Sequence, residues 1–241
     1  MQTVLITGAN RGIGLELARQ LAVEGYFVWL GARDIEKGRE AVARLKQQHP
    51  GIQAEAIRLD TSDAGSVQQC CALLESRLQA LDVLVNNAGI RGPMPQTPSS
   101  VAVDDIKQVF ETNFFGVITL TQALLPLLKR SALPRIVNVT SDLASLTQHC
   151  DPEWQYYTIK GAAYGPSKTA LNAYTVALAY ELKDAGFKVN CVNPGYTATD
   201  FNQFRGTRKV EDAAATLLRY VTLGPDGPTG GFFSEEGATP W

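Results

Sequence analysis

The run Val4-Leu5-Ile6-Thr7-Gly8-Ala9-Asn10-Arg11-Gly12-Ile13-Gly14 decides the fold. Its first four residues are aliphatic or β-branched and read as a strand. The segment Ile13–Glu24 places Leu15, Leu17, Ala18, Leu21 and Ala22 on one apolar face with helical period, and Gly25 ends it. Between strand and helix lie Gly8, Gly12 and Gly14. Glycine lets the backbone turn sharply and approach a ligand, and a helix N-terminus offers free N–H groups with partial positive charge. A glycine turn alone is a weak phosphate signal and can simply connect two elements. Set after a strand and before a helix, at the head of a βαβ unit, it is a strong one.

The same alternation continues outward. Strands are predicted at Tyr26–Leu30, Ile52–Leu59, Asp82–Val85, Arg135–Thr140 and Lys188–Asn193, with a short last one at Gly231–Ser234. Helices are predicted at Ile35–Gln48, from a cap at Ser62 or Asp63 to about Leu78, and over Val103–Lys129 with a break near Thr112. Two more are predicted over Ala162–Asp184 and Val210–Val221, and Gly92–Ser100, rich in Pro and Ser, reads as a loop. Strands that alternate with helices imply an α/β, Rossmann-type, doubly wound parallel sheet of about seven strands with helices on both faces. No linker divides the chain, so one domain over 1–241 is expected. Its pocket should form beyond the carboxyl ends of the strands, from the loops after the fourth to sixth.

Composition narrows the function classes. Hydrophobic residues make up 45% of the 241 and charged residues 19%, and the net charge is −2, the balance of an ordinary globular protein with no basic cluster for nucleic acid. Cys70, Cys71, Cys150 and Cys191 have no CxxC spacing, and His49 and His149 are the only histidines, so neither a disulfide framework nor a metal site is expected. With no signal-like start and no run of roughly 18 apolar residues, a cytoplasmic location without membrane contact is the expectation.

Chemistry-bearing residues cluster where strands end. Asn86-Asn87-Ala88-Gly89 follows the fourth strand, Ser141 the fifth, and Pro194-Gly195 the sixth. Tyr164 and Lys168 lie four residues apart, on one face of the long helix. Singly, such residues are usually surface pairs or caps; together with the glycine turn they form a pattern. That pattern resembles the short-chain dehydrogenase/reductase family, over nearly the whole chain. Gly31-Ala32-Arg33-Asp34, Glu111-Thr112-Asn113-Phe114-Phe115-Gly116 and Gly230-Gly231-Phe232-Phe233 look most like its monomeric carbonyl reductase branch.

The resemblance implies reduction of a ketone or aldehyde, with hydride from a nicotinamide and a proton from Tyr164. Asn113, Ser141, Tyr164 and Lys168 match the family's catalytic tetrad in order. A nearby ammonium stabilises a phenolate, so Lys168 is expected to lower the Tyr164 pKa and to reach the nicotinamide ribose. Ser141 is expected to hydrogen-bond the substrate oxygen. Asn113 resembles the asparagine that bends a helix and links Lys168 to solvent through a water. The cofactor is expected on Gly8, Asn10, Arg11, Gly12, Ile13 and Gly14, on Asn87, Ala88 and Gly89, on Thr140, Tyr164 and Lys168, and on Pro194, Gly195, Thr197 and Thr199. Asp60 and Thr61 fall beside its adenine, although Asp60 can equally cap a turn.

The end of the second strand decides between cofactors. An NAD enzyme places a carboxylate there for the ribose hydroxyls. Here Ala32 is followed by Arg33, with Arg11 on the same side, and two guanidinium groups suit the 2′-phosphate of NADP. Asp34 becomes the ribose ligand if the strand ends one residue later, and the chain is then an NAD-linked alcohol dehydrogenase. A non-catalytic dinucleotide sensor is the remaining alternative, disfavoured because Tyr164 and Lys168 are both present. Ser141 and Tyr164 are 23 positions apart, further than in commoner members. The extra stretch, about 142–162 and rich in aromatics, is read as a pocket wall or as a cover over the helix on which relatives dimerise. The monomeric reductases carry a longer insertion there, so a monomer is expected, with a dimer as the alternative. The segment 196–209, with Phe201, Phe204 and Gly206, is the other expected pocket element.

Overall fold

The computed structural model describes residues 1–241. At its centre is one eight-stranded sheet: β1 Thr3–Thr7, β2 Phe27–Ala32, β3 Gln53–Arg58, β4 Val83–Asn86, β5 Arg135–Val139, β6 Lys188–Val192, β7 Phe232–Ser234 and β8 Gly237–Ala238. The order across it is β3-β2-β1-β4-β5-β6-β7-β8. Every neighbouring pair is parallel except β7 with β8, a short hairpin return. This eighth strand adds to the expected seven; two residues are too few to carry a periodic signal.

Eight helices connect and cover the strands: α1 Gly12–Val23, α2 Ile35–Gln48, α3 Ala64–Arg77, α4 Val103–Phe110, α5 Gly116–Leu128, α6 Leu146–His149, α7 Tyr164–Glu181 and α8 Val210–Val221. Side chains alternate across a strand, and the core splits accordingly. Val4 and Ile6 of β1, with Val28 and Leu30 of β2, point into one cluster with Leu17, Leu21, Leu45 and Leu217 from α1, α2 and α8. Leu5 and Trp29, between them in sequence, point the other way, toward Leu74, Leu120, Leu124 and Leu178 of α3, α5 and α7. Strands buried on both faces explain the nearly unbroken apolar runs in the sequence.

Local chemistry sets the boundaries. Asp34 caps α2, accepting from the backbone N–H groups of Glu36 (3.1 Å) and Lys37 (3.3 Å). Asp63, not Ser62, caps α3, accepting from Gly65 N–H at 2.9 Å; the Ser62 hydroxyl donates to Asp60 instead. The break near Thr112 is a π-helical turn over Glu111–Phe115, between α4 and α5. The long helix starts at Tyr164 rather than Ala162, and the Ala162 N–H just before it donates to the Gln96 carbonyl at 3.0 Å. After β3 the chain crosses β1 to lay down β4. The winding reverses there, and the crevice this leaves at the carboxyl ends of β1 and β4 is where such sheets bind ligands.

Candidate active site

The glycine turn lies at that crevice. Gly8 (φ +63°) and Gly12 (φ +58°) occupy the left-handed region that side-chain-bearing residues avoid. At Gly14 a methyl would sit 2.5 Å from Asn87 Nδ2 and 2.8 Å from the Gly8 carbonyl oxygen. The Thr7 hydroxyl accepts from the N–H groups of Asn87 (2.9 Å) and Ala88 (2.8 Å). Asn87 Nδ2 donates in return to the carbonyls of Thr7 (2.8 Å) and Gly8 (3.2 Å). The turns after β1 and β4 are thus stitched into one floor. Arg11, at the N-cap of α1, makes no side-chain capping bond, so the first N–H groups of that helix keep their capacity for an anion. The turn therefore fits a dinucleotide pyrophosphate.

The tetrad residues come together at the ends of β4 and β5. Asn113 lies in the π-helical turn, fully buried. Its side chain clasps the Ile90 backbone, accepting from N–H at 2.8 Å and donating to C=O at 2.9 Å, and donates to the Ser167 hydroxyl at 3.1 Å. Ser167 in turn donates to the Tyr164 carbonyl at 2.7 Å. From this wider, π-helical turn Asn113 reaches the loop after β4. Ser141, just after β5, accepts from Leu143 N–H at 3.2 Å and forms a hydrogen bond with the Tyr164 side chain that favours the phenolate.

Lys168 is buried and donates at 2.8 Å to the Val139 carbonyl, at the end of β5. Its ammonium lies 6.0 Å from the centre of the Tyr164 ring. Here one sequence expectation needs correction. Burial pushes the Tyr164 phenol up to about 12, against the opposing Ser141 hydrogen bond, and Lys168 is not what governs it. Burial also pushes Lys168 down, to about 8. Desolvation of the buried phenol is the largest influence on it. In this geometry Tyr164 is a proton donor that keeps its proton.

These groups open onto a cavity of about 1100 Å³. Drug-sized ligands occupy pockets of roughly 300–1000 Å³, so a dinucleotide together with a small substrate suits this volume. Every expected cofactor residue named above lines the cavity; Asn113 lies beneath it. Beside the end of β2 and the glycine turn, Arg33 and Arg11 line the wall and Asp34 does not; one oxygen of its carboxylate caps α2. Arg11 approaches Asp200 at only 3.9 Å. Asp60 lines the wall and also makes the turn expected as its alternative, accepting from Ser62 N–H at 3.0 Å. The Thr197 hydroxyl is turned into its own loop, donating to the carbonyls of Pro194 (3.2 Å) and Gly195 (3.1 Å).

The insertion forms a wall of the cavity through Leu146, His149, Tyr156 and Ile159. It packs on the first turns of α7, where the Thr169 hydroxyl donates to the Ala144 carbonyl at 3.0 Å, and leaves Val176 and Tyr180 further along that helix exposed. From 196–209, Phe201 packs on the Tyr164 ring at 5.5 Å. Two structural partners carried no legible signal. Gln96, buried in the Pro- and Ser-rich loop, accepts from Tyr164 N–H at 3.1 Å. Asp142 accepts from Asn193 Nδ2, whose Oδ1 accepts from Gly195 N–H at 2.9 Å, and burial pushes the Asp142 carboxyl up. Both act through contacts distant in sequence, which no local pattern displays.

Comparison with known proteins agrees with this geometry. A family model described as short chain dehydrogenase matches residues 2–209. The chain therefore belongs to the short-chain dehydrogenase/reductase family and is an oxidoreductase of that family. It is 31% identical to a (+)-neomenthol dehydrogenase of Capsicum annuum, across 98% of this chain and 96% of that one. It is 30% identical to a salutaridine reductase of Papaver bracteatum, across 97% and 94%. The solved structure of an NADPH-bound carbonyl reductase from chicken fatty liver superposes with a TM-score of 0.84 at 28% identity, covering 100% of this chain and 99% of that one. No helix is long and apolar enough to cross a membrane.

Proposed function

We propose that the protein is an NADPH-dependent reductase of ketones or aldehydes, forming the alcohol reversibly. The supporting observation is a single cavity with Tyr164, Ser141 and Lys168 at one end and, at the other, Arg33 and Arg11 without a ribose-facing Asp34. The relatives' names and the NADPH-bound neighbour point the same way. A nicotinamide dinucleotide, its pyrophosphate held by the glycine turn, would supply the hydride for the carbonyl carbon. The chain's own residues then manage the oxygen. Ser141 holds it by a hydrogen bond as negative charge develops. Tyr164, protonated because it is desolvated, delivers its proton to that oxygen. Lys168, charged below about pH 8, stabilises the phenolate left behind. Asn113 fixes the loop after β4 beneath the reacting groups.

The chain works as one domain over 1–241, with the substrate walled by the loops after β4, β5 and β6. We place it in the cytoplasm as a monomer: its four cysteines are free and the monomeric reductases are the branch it resembles. Absorbance loss of NADPH against a panel of carbonyl compounds tests the activity. Turnover with NADH at equal kcat/KM would remove the NADPH assignment. Light scattering on the eluted protein tests the monomer.

A further inference from the structure

Resting on that reading, we infer that the preferred substrates are oxo acids: carbonyl compounds that carry a carboxylate on an apolar skeleton. The charge left over at the catalytic end of the cavity points to them. Arg33 and Arg11 lie at the adenosine end, and Lys168 is spent on Val139. Two cations remain, Arg91 and Lys160, and both line the cavity. The Arg91 guanidinium has no carboxylate within 4.0 Å and makes no side-chain hydrogen bond. The Lys160 ammonium has only neutral company. It donates to the His149 carbonyl at 2.8 Å, meets His149 Nδ1 at 3.1 Å, and sits 4.3 Å from the Tyr157 ring centre. Burial pushes the His149 pKa down, which keeps its imidazole a neutral acceptor for that ammonium.

Gln96 shows that both cations belong to the catalytic end. Its Nε2 donates to the Arg91 carbonyl at 2.7 Å, its Oε1 accepts from Tyr164 N–H at 3.1 Å, and its own carbonyl accepts from Ala162 N–H. A methyl on Gly161 would touch that same Oε1 at 3.0 Å. The Arg91 backbone and the segment 161–164, which begins one residue after Lys160, are therefore tied together at Gln96. The 2′-phosphate position at the end of β2 is three strand spacings from β5, about 14 Å across the sheet, so these cations are not needed there. The carboxylates offer no counterion. Asp60 and Asp200 lie toward the adenosine end, and Asp142 is held by Asn193. Asp151 and Glu153 of the insertion do not line the cavity.

The rest of this end is apolar. Met94, Leu146, Ile159 and Phe201 line it while 59%, 61%, 49% and 40% exposed, an unusual cost unless something apolar covers them. An unpaired guanidinium and an ammonium beside such a rim fit a carboxylate at the far end of an apolar carbonyl compound.

The test compares para-acetylbenzoate and its chain-extended homologue, the acetylphenylpropionate, with their methyl esters, in the wild type and in Arg91→Met and Lys160→Met. Methionine keeps an apolar stem in place of each cation. The wild type is expected to favour at least one acid over its ester by about tenfold in kcat/KM. Either substitution should erase that preference while ester turnover stays unchanged, and added salt should weaken it. Equal kcat/KM for acids and esters in the wild type, or equal losses on both in the variants, would overturn the proposal. Turnover of neither acids nor esters would overturn the reductase reading, and this proposal with it.

Discussion

Lys168 and Tyr164 face one cavity from adjacent turns of α7, with the ammonium 6.0 Å from the phenol ring centre and pinned to the Val139 carbonyl. The pair is arranged so that the phenol holds its proton, up to about 12, and gives it up only to a stronger base. An alkoxide forming on a reduced carbonyl is such a base. Tyr164→Phe removes the proton and little else, since the ring still packs on Phe201. Its kcat should fall by about 10²–10⁴, the range of a lost general acid. NADPH affinity by fluorescence titration and the melting temperature should stay near wild type. Turnover within a few-fold of wild type would remove Tyr164 as the donor.

The Lys168 value near 8 gives a pH signature. Below it the ammonium is charged and stabilises the phenolate formed as Tyr164 loses its proton; above it that help disappears. Reductive kcat/KM, which reports the free enzyme, should therefore fall as pH rises through about 8. Lys168→Arg keeps a charge throughout this range, so whatever activity it retains should show no break there. A break that persists in that variant would assign it to another group.

Most of the scaffold was legible because it rests on local period. The limits Ile35–Gln48 of α2 match the sequence reading, with a His49-Pro50-Gly51 stop at the end; the Asp34 cap at the start shows only in the structure. The break at Thr112 was visible as a lapse in that period, though its π-helical form was not. The two-residue β8 was too short to register. In the site, the glycine turn, Asn87, Ser141 and Pro194 stood out by their place after strand ends, and the resemblance supplied the roles of the tetrad. The phenol's raised pKa was not legible, because desolvation belongs to the assembled cavity and no spacing encodes it. Gln96 and the Asp142–Asn193 pair stayed hidden for the same reason: their partners are far away in sequence.

Cofactor choice rests on Arg33. Its neighbour Asp34 caps α2 and does not line the cavity. Arg33→Ala should raise the KM for NADPH by about 10–100-fold, the worth of a charge-assisted hydrogen bond, and leave the KM for NADH nearly unchanged. Arg11→Ala should act in the same direction but less, because Arg11 already shares the field of Asp200 at 3.9 Å. Steady-state kinetics with both cofactors measure this. Equal effects on the two would mean that the guanidinium does not meet a 2′-phosphate.

Gln96 holds the start of α7 from another loop. The N-cap residue Ala163 has no side chain able to cap, and Gln96 Oε1 takes the Tyr164 N–H in its place. The other end of the amide is tied to the carbonyls of Arg91 at 2.7 Å and Pro93 at 3.2 Å. Gln96→Leu leaves the half-buried Tyr164 N–H and Arg91 carbonyl without these partners, which costs about 1 kcal/mol. It also frees the first turn of α7, and a displacement of about 1 Å at Tyr164 is enough to cost 100-fold in rate. The expected result is a large drop in kcat with KM for NADPH little changed, since the adenosine end lies strands away. Gln96→Glu keeps the acceptor for Tyr164 N–H but loses both donations, so it should recover part of the rate and little of the stability. Equal losses of kcat and stability in both variants would make Gln96 a loop anchor only, with no hold on the phenol.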